Sequence, residues 1–262
     1  MNERFFQGVH KNRVRVSVGE LELPIQYLDI EAMLSFFPVP TEAIAGMLPN
    51  AGLQPVQVWP GISLLGVAAA EYKKSSIGAY SEVAILVPCL LQPRFNIPLL
   101  PLWFPRLFPS LAGYILKMPV STEFACVAGK EIWGYPKFLA DIDFEEQESH
   151  RVCTLSHEGS LVLRYSMQKP TVPRYAQRSY AAYSCLGQSL LQNRVVTQGL
   201  LGVSRKPESA QLQFGRHPLA IQLSDLKPGP ARSTYYYPKM QGLAGWAGKS
   251  YELSEIAAGR NS

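Results

Sequence analysis

From Val83 to Val120 the chain reads VAILVPCLLQPRFNIPLLPLWFPRLFPSLAGYILKMPV, 38 residues with three charges among them. A run this apolar invites reading as a membrane helix, and two features forbid it. Arg94, Arg106 and Lys117 cut it into uncharged pieces shorter than the roughly 18 residues a span needs. Seven prolines, each without a backbone donor, would break any helix that formed. What remains is a buried strand followed by a long apolar loop that covers the core or a subunit interface. Sharper readings are a lid over an apolar ligand or a surface that touches a membrane.

The rest of the chain points the same way, toward extended structure. SLLGVAAAEYKK and AYSEVAILVP read as two strands joined by the turn-forming SSIG. Phe138, Ala140, Ile142 and Phe144 alternate with Leu139, Asp141 and Asp143, so the two sets take opposite faces of a strand. HRVCTLSHEGSLVLRYSM reads as a hairpin turning at Glu158-Gly159, and LLQNRVVTQG, AQLQFG and LAIQL as further strands. In PTEAIAGMLP a short helix is expected, with Thr41 as cap and Ile44, Met47 and Leu48 on one face. No β-α alternation repeats. The expected class is mainly β (α+β): a large antiparallel β-barrel-like single domain, residues 1–262, with a few peripheral helices. A hydrophobic fraction of 47% can fill such a core, and a charged fraction of 17% is low enough to suggest the interfaces of a homo-oligomer or an apolar pocket.

Several partners are excluded by charge and spacing. The net charge of +5 is modest and no four basic residues run together, so nucleic acid is not expected. Cys89, Cys126, Cys153 and Cys185 include no C-x-x-C pair, and His10, His150, His157 and His217 no metal-binding spacing, so neither a structural metal nor a disulfide framework is expected. The first twenty residues lack an apolar signal core, and a cytoplasmic location with no integral membrane segment is the default.

Chemistry concentrates in GKEIWGYPKFLADIDFEE, Gly129 to Glu146, a strand-like segment in which Lys137 follows Gly-Tyr-Pro. A free lysine has a pKa of about 10.4, so roughly one amine in 2,500 is neutral at pH 7. Burial penalises the ammonium form and favours the amine. By pattern alone, a lone lysine at a strand start is a solvated charge.

The wider stretch resembles the active-site signature of the acetoacetate decarboxylase family, G-R-E-x-x-x-Y-P-K-K-L. Gly129, Glu131, Tyr135, Pro136, Lys137 and Leu139 match it, and Lys130 stands where arginine is usual. IGAYSEV resembles a second family stretch, whose active-site glutamate falls on Glu82. The resemblance implies an oligomeric, barrel-like fold and an imine formed between Lys137 and a small keto acid or ketone, with no cofactor. It makes Glu82 the substrate-positioning or proton-shuttling acid, and Tyr135 and Trp133 walls of the pocket. The implied reaction is decarboxylation of a β-keto acid; the alternatives are aldol or dehydration chemistry on pyruvate or another keto acid, and a non-catalytic barrel binding an apolar ligand.

Two departures matter. The family's second lysine is Phe138 here, although neighbouring strand residues point to opposite faces, so the first lysine need not miss it. The family's carboxylate-handling arginine has no counterpart between Arg15 and Arg94, and an inner glutamate aligns near Val67. Arg94 or Arg106 could supply a replacement charge. Among other features, the glycines of GLAGWAG read as loop, His157 as a surface residue, and Asp141 with Asp143 as a solvated face.

Overall fold

The computed structural model describes residues 3–170 and 173–253. A hairpin of β1 (Asn12–Val16) and β2 (Gly19–Leu23) leads into the long strand β3 (Ile25–Pro40). Helix α1 (Thr41–Ala45) and the short β4 (Leu53–Pro55) and β5 (Gln57–Trp59) precede β6 (Ile62–Ser75) and β7 (Tyr80–Leu91). After β7 comes the apolar loop, holding one helical turn, α2 (Leu100–Trp103), and then β8 (Ala112–Val120). Helix α3 (Glu123–Trp133) is followed by β9 (Lys137–Leu139) and β10 (Asp141–Glu146). Two hairpins come next, β11 (His150–His157) with β12 (Ser160–Gln168), and β13 (Arg174–Leu186) with β14 (Ser189–Ser204). The described chain finishes with β15 (Ala210–Phe214), helix α4 (Pro218–Ser224), β16 (Ser233–Ala244) and β17 (Lys249–Glu252).

Seven of these strands close a barrel in the order β3, β6, β7, β8, β13, β14, β16 and back to β3. Closure leaves few free edges, which is how a long β chain avoids exposing unpaired backbone. All the joints are antiparallel but one: β8 and β13 run parallel and meet through only two residue pairs, Gly113 with Ala182 and Tyr114 with Tyr183. A second sheet, β10-β11-β12-β15, covers part of the outer face.

Parity along β6 and β7 decides what faces where. Val67, Ala69, Val83 and Ile85 point outward and pack with Leu155, Leu163 and Tyr165 of the second sheet. Their neighbours turn inward: Ala70 and Tyr72 pack with residues of α3 and the β1-β2 hairpin, and Ala68 and Ala84 with Met118 and Tyr135.

The expected strands over 63–74 and 79–88 are present and paired, and the hairpin turns at Glu158 and Gly159, whose φ values of 50° and 72° suit a tight two-residue turn. Three local expectations are corrected. LAIQL is helix α4, because the His217 side chain caps it by accepting from the Leu219 N–H at 3.1 Å and Pro218 opens it. Leu219, Ala220 and Leu223 then share its buried face, a spacing too short to distinguish from a strand by eye. Gly129–Trp133 is the last part of α3 and not strand; the helix ends where Gly134 adopts the left-handed conformation, φ 63°. Thr41 lies inside α1, with Pro40 at the cap position, and its hydroxyl instead meets that of Ser63 at 2.9 Å.

Candidate active site

Lys137 is the first residue of β9, which runs parallel to β8 and pairs it with Met118. Helix α3 and the left-handed Gly134 swing the chain back so that the lysine side chain passes under the helix. Gly129 makes this possible: a Cβ there would lie 2.4 Å from both Cδ and Cε of Lys137. Gly134 is constrained as tightly, since a Cβ would come within 2.3 Å of the Cys185 carbonyl oxygen. Both glycines of this stretch are therefore space for something else. Glu131 has a different task. Its carboxylate accepts from the N–H and hydroxyl of Ser17, pinning the β1-β2 turn to α3.

The lysine is withdrawn from solvent, its side chain 6% exposed, and Nζ donates to Oε2 of Glu82 at 2.7 Å. Glu82, 12% exposed, comes from β7 and faces the interior beside Ala70 of β6. Four tyrosines surround the pair. The Tyr80 ring lies 5.7 Å from Nζ, within reach of a cation–π attraction. Tyr72 stacks on Tyr80 at 4.4 Å across the β6-β7 pairing, and its hydroxyl donates to Oε1 of Glu82 at 3.3 Å. Tyr27 packs against Tyr72 at 4.7 Å. Tyr135, the residue before Pro136, completes the wall and meets the side chain of Asn193.

Burial, followed by the nearby Glu82 charge, pushes the hydroxyls of Tyr27, Tyr72 and Tyr135 well above the usual phenol range. Burial does the same at Tyr80, where the neighbouring tyrosines and Glu82 add to it. All four stay neutral at physiological pH and can donate hydrogen bonds. The Lys137 amine nitrogen, the Glu82 carboxyl group and four phenols therefore share a space largely closed to solvent. Glu82 accepts the hydrogen bond from Nζ, so a proton leaving the ammonium has a carboxylate ready to take it.

Lys137, Glu82 and Tyr135 are brought together, as the motif implied. Trp133 stands one layer back: its indole donates to the Gly245 carbonyl at 2.8 Å and its ring lies 6.2 Å from that of Tyr135. It buttresses the wall. The reading of residues alone missed Tyr27, Tyr72, Tyr80 and Asn193. Tyr80 was within reach, because it lies two residues before Glu82 and so on the same strand face. The others come from strands distant in sequence.

Phe138 points away from the site, as strand parity requires, and packs edge-on to His157 at 4.9 Å. Two other alignments fail. Val67 faces the second sheet, fully buried, so it does not stand in the pocket at all. Arg94 and Arg106 are exposed on the loop beyond the far end of β7. Nine residues separate Glu82 from Leu91, roughly 30 Å of strand, so neither arginine reaches Lys137 within one chain. His157 is part-buried and not a surface residue, its Nδ1 3.1 Å from Nε2 of His217. Asp141 and Asp143 are exposed, as expected. Gly242 lies within β16, and the loop begins only at Gly245. Among the described residues no three His, Cys, Asp or Glu side chains converge as a metal site.

The acetoacetate decarboxylase family model matches residues 15–195, well over half of the chain. Among solved structures, acetoacetate decarboxylase from Legionella pneumophila superposes with a TM-score of 0.61 at 16% identity, over 87% of this chain and 88% of that one. The enduracididine biosynthesis enzyme MppR complexed with pyruvate gives 0.59 at 16% identity, over 88% and 90%. An acetoacetate decarboxylase-like enzyme from Sphingomonas wittichii RW1 gives 0.54 at 14%, over 88% and 93%. At these identities the likeness speaks for the fold. No curated protein matches the sequence.

Proposed function

Since the chain belongs to the acetoacetate decarboxylase family, we propose that it is a carbon–carbon lyase acting through a lysine Schiff base, with Lys137 as nucleophile and a β-keto acid as substrate. The observation that carries this reading is the enclosed Lys137–Glu82 contact at 2.7 Å. Glu82 takes a proton from the Lys137 ammonium, and the freed amine adds to the ketone carbonyl. The carbinolamine hydroxyl leaves as water, with the proton returned from Glu82, and a protonated imine remains. The bond to the carboxylate then breaks; its electron pair moves into the imine, CO₂ departs and an enamine is left. Protonation at carbon and hydrolysis release the ketone and restore the amine. The neutral phenols around the site suit this sequence, since they donate hydrogen bonds without adding charge.

Two other readings each have one observation behind them. A fold neighbour was solved with pyruvate, which makes aldol or dehydration chemistry on a keto acid the alternative use of the same imine. The Lys137–Glu82 pair is also what a ligand-binding barrel with a permanently charged lysine would contain. Incubation with acetoacetate, pyruvate or a simple diketone, then borohydride reduction and peptide mapping, separates them. A reduced adduct on Lys137 together with CO₂ release supports decarboxylation. An adduct without CO₂ release moves the reaction to the second reading. No adduct with any of the three, while other lysines label normally, removes the catalytic reading.

A further inference from the structure

The loop between β7 and β8 is firmly held on one side and bare on the other. Phe108 is buried with Val56 and Leu90, and Leu100, Leu102 and Leu111 pack against them. The Asn96 amide donates to the Pro55 carbonyl at 2.8 Å, and the Leu99 N–H to the Gln57 carbonyl at 2.8 Å. Phe95 packs edge-on to Phe108 at 5.7 Å. Thus fixed, the loop turns Trp103 and Leu107 outward, 68% and 72% exposed, with Phe95, Ile97 and Phe104 about half exposed and Trp59 of β5 at 70%. No soluble surface gains from presenting three aromatics and two aliphatics on one ordered loop.

Charge indicates what covers this face. From Val83 to Thr122 there is no aspartate or glutamate, while Arg94 and Arg106 are exposed on the loop. A second copy docking by two-fold symmetry would set each arginine-bearing loop against its own image, with no acid on the loop to neutralise it. An anionic bilayer supplies the missing charge and accepts the rings. Tryptophan and phenylalanine settle at the headgroup level, and arginine stems lie along apolar surface with their heads toward phosphates. The prolines keep the segment too short and irregular to insert as a span. We propose that the outward face of the 92–107 loop docks the protein on an anionic membrane surface as a peripheral wedge.

The test uses the full chain with phosphatidylcholine vesicles, with and without phosphatidylglycerol, read by co-sedimentation and tryptophan emission. Binding is expected only to the anionic vesicles, with a blue shift from Trp103 and weakening as salt rises. The variant Trp103→Ser/Phe104→Ser/Leu107→Ser should weaken binding by roughly tenfold or more. Arg94→Gln/Arg106→Gln should lose on the order of tenfold and most of the salt dependence. All five positions are on the surface, so both variants should fold and still give the Lys137 adduct. Wild-type protein remaining in the supernatant with anionic vesicles would overturn the proposal. So would binding that neither variant changes. If the triple variant instead turns an oligomer into a monomer by light scattering while vesicles are ignored, the face is a subunit interface and the membrane proposal fails.

Discussion

Two charge clusters lie back to back, an inner one that is buried and an outer one buried only at Arg151 and Glu31. On the outer face, Arg151 of β11 meets Glu31, Glu71 and Glu146, while Lys73 bonds Glu31 and Lys169 bonds Glu146. The Tyr236 hydroxyl donates to Glu31 at 2.6 Å. Three cations thus balance three carboxylates, and they join the second sheet to the barrel. On the inner face, Lys137 pairs with Glu82 and, among the described residues, with no other carboxylate. The difference lies in what each cation can do. A guanidinium never gives up its proton in a protein, so the outer cluster is a fixed clamp. On the proposed reading, the inner amine passes its proton to the carboxylate beside it and takes it back, which a guanidinium does not do. Burial that costs stability on the outer face is, on the proposed reading, the working condition of the inner one.

Breaking each cluster should therefore break different things. Lys137→Met is expected to abolish borohydride trapping and lower turnover by on the order of 10⁴-fold or more, with the fold intact by circular dichroism. Retained turnover would sink the imine mechanism. Arg151→Met should act the other way, leaving two lysines to balance three carboxylates, two of them partly exposed, and costing about 1–3 kcal/mol in urea unfolding. An Arg151→Met protein of wild-type stability would show that the clamp is idle. Gly129→Ala should be intermediate. Its methyl overlaps the lysine chain, so trapping should slow by roughly 10- to 100-fold for a stability loss of about 1–3 kcal/mol.

The smallest expected effect is on pH. Partial burial pushes the Glu146 carboxyl up, but Lys169 and Arg151 together outweigh it and hold the group below its ordinary value of 4.5. A lowered folded value means stability that is present above about pH 4.5 and lost as pH falls through the folded value. Glu146→Gln should therefore flatten the acid limb of a melting-temperature profile. The four inner tyrosines give the opposite limb: raised folded values mean stability that is full below about pH 10 and drains away as pH climbs above it. Glu146→Gln should touch the alkaline limb through Tyr236 of the outer cluster, whose hydroxyl is raised by burial, its bond to Glu31 and the Glu31 and Glu146 charges, and should leave the contribution of the four inner tyrosines unchanged.

How much of this the sequence disclosed depends on the kind of signal. Lys137 and Tyr135 were legible because one short motif carries them and Glu82 because a second stretch does, and Phe138 was placed on the opposite face by strand parity alone. Parity was not applied to Val67, which lies one residue from inward-facing Ala68 and three from Ala70 and so takes the opposite face, and there the reading failed. Helix α4 was misread because five residues are too few to distinguish two periods, and its cap, a histidine, is not a usual capping type. The end of α3 was misread because the motif runs continuously across a helix, a glycine turn and a strand. Tyr27, Tyr72 and Asn193 were invisible for a simpler reason: closure of the barrel, not adjacency in the chain, brings them to the lysine.

The alternation of faces along β7 carries a consequence for changes of chain length. Glu82 looks inward while Val83 and Ile85 look outward to the second sheet. One residue inserted or deleted within β7 would exchange them, driving a carboxylate into the packed seam between the sheets and offering valine to the lysine. Point substitutions there can be graded; a shift by one cannot. Insertions should be absorbed only at the turn of Ser76, Ile77 and Gly78, so the spacing of these strands is as much a part of the site as the side chains it counts into place.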